Sequence, residues 1–274
     1  MIVGRLTGTA ALIISLAAAS ALRGNASSPY SESDMLIAPA IITSMSGTIE
    51  HLEPDGKTSL LKPHDIIFTD DSSLTTLEDS HGFLVFSNGI SLGIDSLSTI
   101  EVERYKQLPF AKNKESQRFE PSVSELKIRL NKGSLALVSD HLSPLSKFII
   151  ELPIGELRVH SASAYINYDE TGVRVTAYSG SLTFYYPGGK GREFIAVPTS
   201  MRVSKESVAL GRYAEKITVE EAPEAWNIFT SATENAGKRV FYRSGGNKAT
   251  PVPVLIIPHG YFEQPESRPY QLIE

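Results

Sequence analysis

The chain has 274 residues, 41% hydrophobic and 21% charged, which is ample apolar material for a core and excludes a chain disordered throughout. Its 26 Lys and Arg against 31 Asp and Glu give a formal charge of -5 with no long single-sign block, so nucleic acid is a poor partner for it. The absence of cysteine excludes a disulfide framework, thiol chemistry, thiolate metal sites and a lipid on an N-terminal cysteine.

Residues 1–21 carry one charge, Arg5, then an apolar run from Ala10 through Leu12, Ile13, Ile14 and Leu16 to Ala19, closed by Ala19-Ser20-Ala21. This is the pattern of a secretory signal peptide cut after Ala21, where the peptidase needs small side chains. The run is shorter than the ~20 apolar residues of a spanning helix. No later stretch has that length either. The expected location is therefore periplasmic or secreted, in a bacterium. Residues 22–34, rich in Ser, Asn and small side chains, read as a flexible leader.

From residue 35 to about 210 the pattern predicts an all-β domain of antiparallel strands and meanders, as short β-branched or aromatic runs are punctuated by Gly, Asn, Asp and Pro. Gly82 to Phe86, the turn Ser87-Asn88-Gly89, and Ile90 to Ile94 read as a hairpin, with Asn-Gly supplying positive φ angles. Leu126, Ile128 and Leu130 alternate with Glu125, Lys127 and Arg129, and Asn131-Lys132-Gly133 reads as the turn of a second hairpin with one wet face. Further on, four strands form a meander: Tyr165–Tyr168, Val173–Ala177, Leu182–Tyr186 and Phe194–Val197. Their turns are Asp169–Gly172, Ser179-Gly180 and Pro187–Gly191. Gln107 to Pro121 reads as an exposed connection between halves at about 35–106 and 122–210. Within a helical segment at 211–243, Ala222 to Ala236 predicts one short helix, opened by Pro223-Glu224, closed by Gly237, with Trp226, Phe229 and Ala232 on one side. Residues 244–274 form a Pro- and Gly-rich tail.

Candidate chemistry is sparse. Histidines 51, 64, 81, 141, 160 and 259 show no pair at one-turn spacing, so no metal site is expected, and turn capping accounts for Asp65, Asp70, Asp71 and Asp79 better than cation binding. Glu101 and Glu103 share one sheet face and read as a solvated face rather than a glycosidase pair. No Gly-x-Ser-x-Gly elbow occurs, and Pro187 to Arg192 lacks the glycine spacing and the Ser or Thr of a phosphate loop. Lys238, Arg239, Tyr242, Arg243 and Lys248 read as a solvated basic flank. No residue is assigned as catalytic and no cofactor is expected. Tyr165, Tyr168, Tyr178, Tyr185 and Tyr186 crowd the meander and offer either core packing or a stacking platform for sugars.

The order of these signals along residues 45 to 203 resembles the FecR-like domain, an extracytoplasmic β module first associated with regulators of iron transport. The first half carries Gly47-Thr48-Ile49, Leu60 through Asp65-Ile66 to Thr69, Ser73, then Ser87-Asn88-Gly89 leading to Leu92 and Ser98-Thr99-Ile100. The second half carries Leu130-Asn131-Lys132-Gly133-Ser134-Leu135, Phe148 through Leu152-Pro153-Ile154-Gly155 to Val159, and Val175 to Leu182 around Ser179-Gly180. Two positions depart from the family pattern: His160-Ser161-Ala162 replaces an Arg-Gly-Thr sequence, and Leu152 replaces threonine before Pro153. Family regulators carry an anti-sigma segment and a spanning helix before this domain, whereas a signal-peptide pattern stands there in this sequence. The resemblance thus implies a non-catalytic, exported interaction domain binding an envelope protein. A carbohydrate-binding module and a polysaccharide-acting hydrolase are the alternatives. The expected binding edge is His160, Tyr165, Tyr168 and Tyr178, where the chain leaves the family pattern and aromatics gather.

Overall fold

The computed structural model describes residues 32–109, 122–139, 142–189, 191–197, 199–211 and 214–241. The signal-peptide pattern, nearly all of the leader, most of the 107–121 connection and the tail lie outside the described residues. The first half contains β1 (Leu36–Ile37), β2 (Pro39–Ser46), β3 (Ile49–Leu52), β4 (Thr58–Leu60), β5 (Ile66–Phe68), β6 (Ser72–Thr76), β7 (His81–Phe86), β8 (Ser91–Ile94) and β9 (Thr99–Gln107). The second contains β10 (Ser124–Val138), β11 (Lys147–Leu152), β12 (Gly155–Tyr168), β13 (Gly172–Tyr185), β14 (Arg192–Ala196), β15 (Thr199–Ser204), α1 (Lys205–Ala209), β16 (Glu215–Ile217) and α2 (Glu224–Phe241). The all-β expectation holds. All sixteen strands belong to one sheet, antiparallel except where β10 runs parallel to β11.

Three long strands, β10, β12 and β13, organise this sheet because each changes neighbours partway along. The first part of β10 pairs with β9 and β11, and its second part pairs with β8 and β12. The switch falls at Asn131-Lys132-Gly133, which is a bulge within one strand and not the turn of a hairpin. Register with β9 slips between Leu130 and Lys132, and Gly133 takes φ +89°. A Cβ there would stand 2.3 Å from Ser98 Oγ and 2.6 Å from Ser98 Cα, a space only glycine leaves open. Ser98 Oγ closes the junction, accepting from the Ser134 amide at 2.8 Å and lying 3.0 Å from the Ser134 carbonyl.

Ser179-Gly180 is likewise not a turn but lies within one strand beside a bulge at Tyr178, so the expected second and third strands of the meander are one strand, β13. Gly180 has φ +68°, and a Cβ there would lie 1.8 Å from the Ser161 carbonyl oxygen. Three hairpins are where the sequence places them. Asp169 Oδ1 accepts from the Thr171 and Gly172 amides between β12 and β13, and the Tyr186 amide donates to the Gly191 carbonyl before β14. In the β7–β8 hairpin only Gly89 has positive φ, while the Asn88 side chain accepts from the Ile90 amide at 3.0 Å.

The alternating residues of these strands enter one core, in which Ile100, Val102, Leu126, Ile128, Leu130, Ile150, Leu157 and Phe184 are all fully buried. β7 is apolar on both sides. Leu84 and Phe86 enter the main core, whereas Phe83 and Val85 join Ile41 and Ala236 in a second cluster beneath α2. Its uninterrupted apolar run is what burial on both faces requires. The helix continues past Gly237 to Phe241, because Gly237 is a contact point rather than a stop: a Cβ there would meet Ser91 Oγ at 2.3 Å. Across the same interface, a Cβ on Gly93 would lie 2.4 Å from Thr233 Oγ1 and 2.7 Å from the Phe229 ring.

Gly93→Val should therefore lift α2 from the sheet, costing on the order of 1–3 kcal/mol. Urea denaturation followed by emission of Trp226, the single tryptophan of the chain, checks this. A second expectation concerns His51, which is buried with Nε2 unpartnered and has its pKa lowered by burial, only partly offset by Glu53. The unfolded state then binds more protons between the lowered folded value and about 6.5, so stability is lost as pH falls through that window. In His51→Leu the denaturation midpoint should depend less steeply on pH between neutrality and pH 5 than in the parent.

Candidate binding surfaces

The docking of α2 is centred on an aromatic group. Tyr165, on β12, is 2% exposed, stacks on Trp226 with centroids 4.6 Å apart and planes 18° from parallel, and donates to Asp95 Oδ2 at 2.6 Å. Burial first, then the bond to Asp95, raises its hydroxyl pKa far above the ordinary phenol range. Tyr165 is thus a neutral donor throughout the physiological range. Phe229 meets Phe83 at 5.1 Å and the edge of Tyr165 at 6.1 Å. The Arg174 guanidinium lies 5.2 Å from the Trp226 ring centroid and donates to the Glu221 carbonyl at 2.7 Å, tying the start of α2 to β13.

Beside this group is a cleft of about 370 Å³. One wall is Ser163, Tyr178 and Ser179 from β12 and β13; the other is Asn227, Thr230, Ser231 and Glu234, at the three- and four-residue intervals that line one face of α2. The β12–β13 register puts Ser163 opposite Ser179 and Ala164 opposite Ala177, which makes Tyr178 the extra residue of the bulge. A bulge re-aims the side chain it carries, and here Tyr178 is turned toward the helix. Its hydroxyl is shielded from solvent without a hydrogen-bond partner, and burial raises its pKa.

His160 is the extra residue of a matching bulge on β12, between Val159 opposite Leu182 and Ser161 opposite Ser181. It stands exposed on the outer face of the sheet, Nε2 2.9 Å from Thr183 Oγ1. Around it on that face are Arg158, 4.4 Å over the Tyr185 ring and hydrogen-bonded to Glu156, and Phe194, 57% exposed in register with Thr183. β14, which carries Phe194, pairs with β13 alone.

The four residues of the expected edge therefore separate. His160 lies on the outer face, Tyr178 in the cleft, Tyr165 beneath α2, and Tyr168 in the main core, 8% exposed with the Lys205 ammonium 5.0 Å over its ring. Tyr186 is also in the core, its hydroxyl accepting from the Ala214 amide at 2.6 Å. These tyrosines form no shared exposed platform, because alternation along β12 sends Tyr168 into the core while α2 covers Tyr165 on the other face. Asp95, Arg174, Trp226 and Phe194, central to these surfaces, carried no motif. The one tryptophan on the apolar side of the predicted helix was the nearest signal.

Glu101 and Glu103 lie on the outer face within an ion-pair ladder rather than as a free carboxylate pair. Lys127 Nζ is 2.6 Å from both Glu103 and Glu151, while Arg129 reaches Glu101 at 3.0 Å and Glu151 at 3.2 Å, and also pairs with Glu103. Asp65 accepts from the Lys62 amide and Asp70 from the Tyr105 amide, so these acids serve turns and strand ends. Among the described residues no group of three His, Cys, Asp or Glu converges on a metal position, and no helix is long and apolar enough to cross a membrane.

The described residues thus define an all-β protein with a helix docked on the non-core face of the sheet, a polar cleft at its side and an exposed aromatic patch farther along that face. No family model matches the chain, and no curated protein does. Two crystal structures of a candidate anti-sigma factor from Parabacteroides distasonis are similar to it, with TM-scores of 0.37 and 0.38 and identities of 12% and 10%. Each match covers 53% of this chain and 59% of the other.

Replacing Tyr165 by Phe keeps the stack on Trp226 and removes the donor from Asp95. The expected cost is about 1–3 kcal/mol of stability, measured by urea denaturation with circular dichroism, and an unchanged midpoint would refute the role given to this bond.

Proposed function

We propose that the chain is a non-catalytic, exported interaction module of the FecR-like kind, binding a protein partner of the bacterial envelope through the outer face of β12, β13 and β14. The observation that carries this reading is the patch of Phe194, Tyr185, Arg158 and His160 beside an edge strand. Aromatic residues and arginine are the types that anchor protein interfaces. An edge strand adds unpaired backbone groups, to which an extended partner segment can hydrogen-bond.

Three further features support the reading. His160 belongs to the stretch where the sequence departs from the FecR-like pattern, and the bulge sets it outward at the patch. The secretory pattern of residues 1–21 supports export. The outer-face carboxylates Glu101, Glu103 and Glu151 are ion-paired with Lys127 and Arg129 rather than standing as a free pair.

The test is cross-linked capture from envelope extract with the parent chain and with Phe194→Ser and Arg158→Ala. A protein recovered stoichiometrically with the parent should be lost, by roughly tenfold or more, with either variant. Both variants should keep the parent's thermal midpoint, since the side chains are on the surface. Equal recovery by all three chains, or turnover of a polysaccharide by the purified protein, would overturn the proposal.

A further inference from the structure

We infer that the cleft between α2 and the β13 bulge is a binding site for a neutral sugar of one or two rings. This site lies where α2 covers the sheet and shares no lining residue with the Phe194 patch, so the inference does not depend on the protein-partner reading. Its volume of about 370 Å³ falls within the range of roughly 300–1,000 Å³ typical of ligand clefts.

The lining selects the chemistry. Ser163, Ser179, Thr230 and Ser231 contribute hydroxyls, Asn227 an amide with both donor and acceptor, and Glu234 a carboxylate. Among the described residues neither Lys nor Arg lines the cleft, and its carboxylate, Glu234, is ion-paired with Lys238 beside it, so the lining is polar without a free charge. Thr230 already donates to the Trp226 carbonyl at 2.7 Å, which fixes its hydroxyl as an acceptor toward a ligand. A dense mixture of fixed acceptors, rotatable hydroxyls and an amide is what a ring bearing several hydroxyl groups can satisfy.

Tyr178 supplies the second observation. Its half-buried ring gives the wall an apolar surface for the C–H face of a sugar, and its hydroxyl is closed off from water with no protein partner. Such a group forgoes a hydrogen bond that the free chain makes with water. A ligand hydroxyl would restore it if the half-buried ring turned its hydroxyl into the cleft, the contact that Tyr178→Phe removes. Because the two walls belong to the sheet and to α2, an occupant would also bridge them, so binding should raise the stability of the docked helix.

The experiment is calorimetric titration of the full mature chain with glucose, galactose, mannose, N-acetylglucosamine, their β-linked dimers, and glucuronate as an anionic control. At least one neutral sugar should bind saturably and raise the thermal midpoint, while glucuronate should not. Tyr178→Phe, which removes only the hydroxyl, and Asn227→Ala, at an exposed position, should each weaken that sugar by roughly tenfold with circular dichroism unchanged. Phe194→Ser should leave it untouched, which separates this site from the protein-binding face. Absence of saturable binding by every neutral sugar, tighter binding of glucuronate, or full affinity in both cleft variants would overturn the inference.

Discussion

Everything in this molecule depends on strands that bend without ending. β10, β12 and β13 each hydrogen-bond to one set of neighbours over their first part and another over their second, and each makes the change at a register slip. Gly133 and Gly180 make two of these junctions sterically feasible, since backbone or side-chain atoms of Ser98 and Ser161 occupy the space a Cβ would need. One consequence is a shared core filled from both halves of the chain. Another is that residues such as Tyr178 and His160 leave the ordinary alternation of a strand and become available for something other than packing.

The second organising contact is the helix on the sheet. α2 approaches closely because glycines face it from both sides of the interface: Gly93 makes room for Thr233 and Phe229, and Gly237 makes room for Ser91. Orientation comes from a different source. The stack of Trp226 on Tyr165, the bond from Tyr165 to Asp95, and Arg174 holding the Glu221 carbonyl constrain the N-terminal end of α2, while the glycines set its depth. A buried phenol that donates to a carboxylate has its partner fixed, and this suits an element whose other contacts are non-directional.

Local features were legible in the sequence and non-local ones were not. The β7–β8 hairpin, the Asp169 turn and the Pro187 loop are determined by neighbouring residues, and the spacing of Trp226, Phe229 and Ala232 reveals a helix side whichever sheet receives it. Gly133 and Gly180 were misread as turns because turns and bulges make the same local demand, a positive φ. Only the partner across the ladder distinguishes them. The same uncertainty spread to the expected binding edge. Tyr165 and Tyr168, three residues apart with no slip of β12 between them, meet opposite faces by ordinary alternation, whereas His160 and Tyr178 are extra residues that parity could not place. The cleft was half visible: Asn227, Thr230, Ser231 and Glu234 obey the helical spacing as well as the apolar side does, but the wall opposite depends on the bulge.

The two-sided burial of β7 also bears on the order in which the molecule can be completed. Phe83 and Val85 are synthesised early, but the residues that cover them, Phe229, Ala232 and Ala236, come near the far end of the described chain. Until α2 arrives, the sheet can assemble its core and still present a bare apolar strip. The strip's natural cover is tethered to the same chain, so closure is a concentration-independent step that competes with association between incomplete molecules. A protein built this way is vulnerable in the interval before α2 docks, and afterwards this apolar strand is covered on both faces.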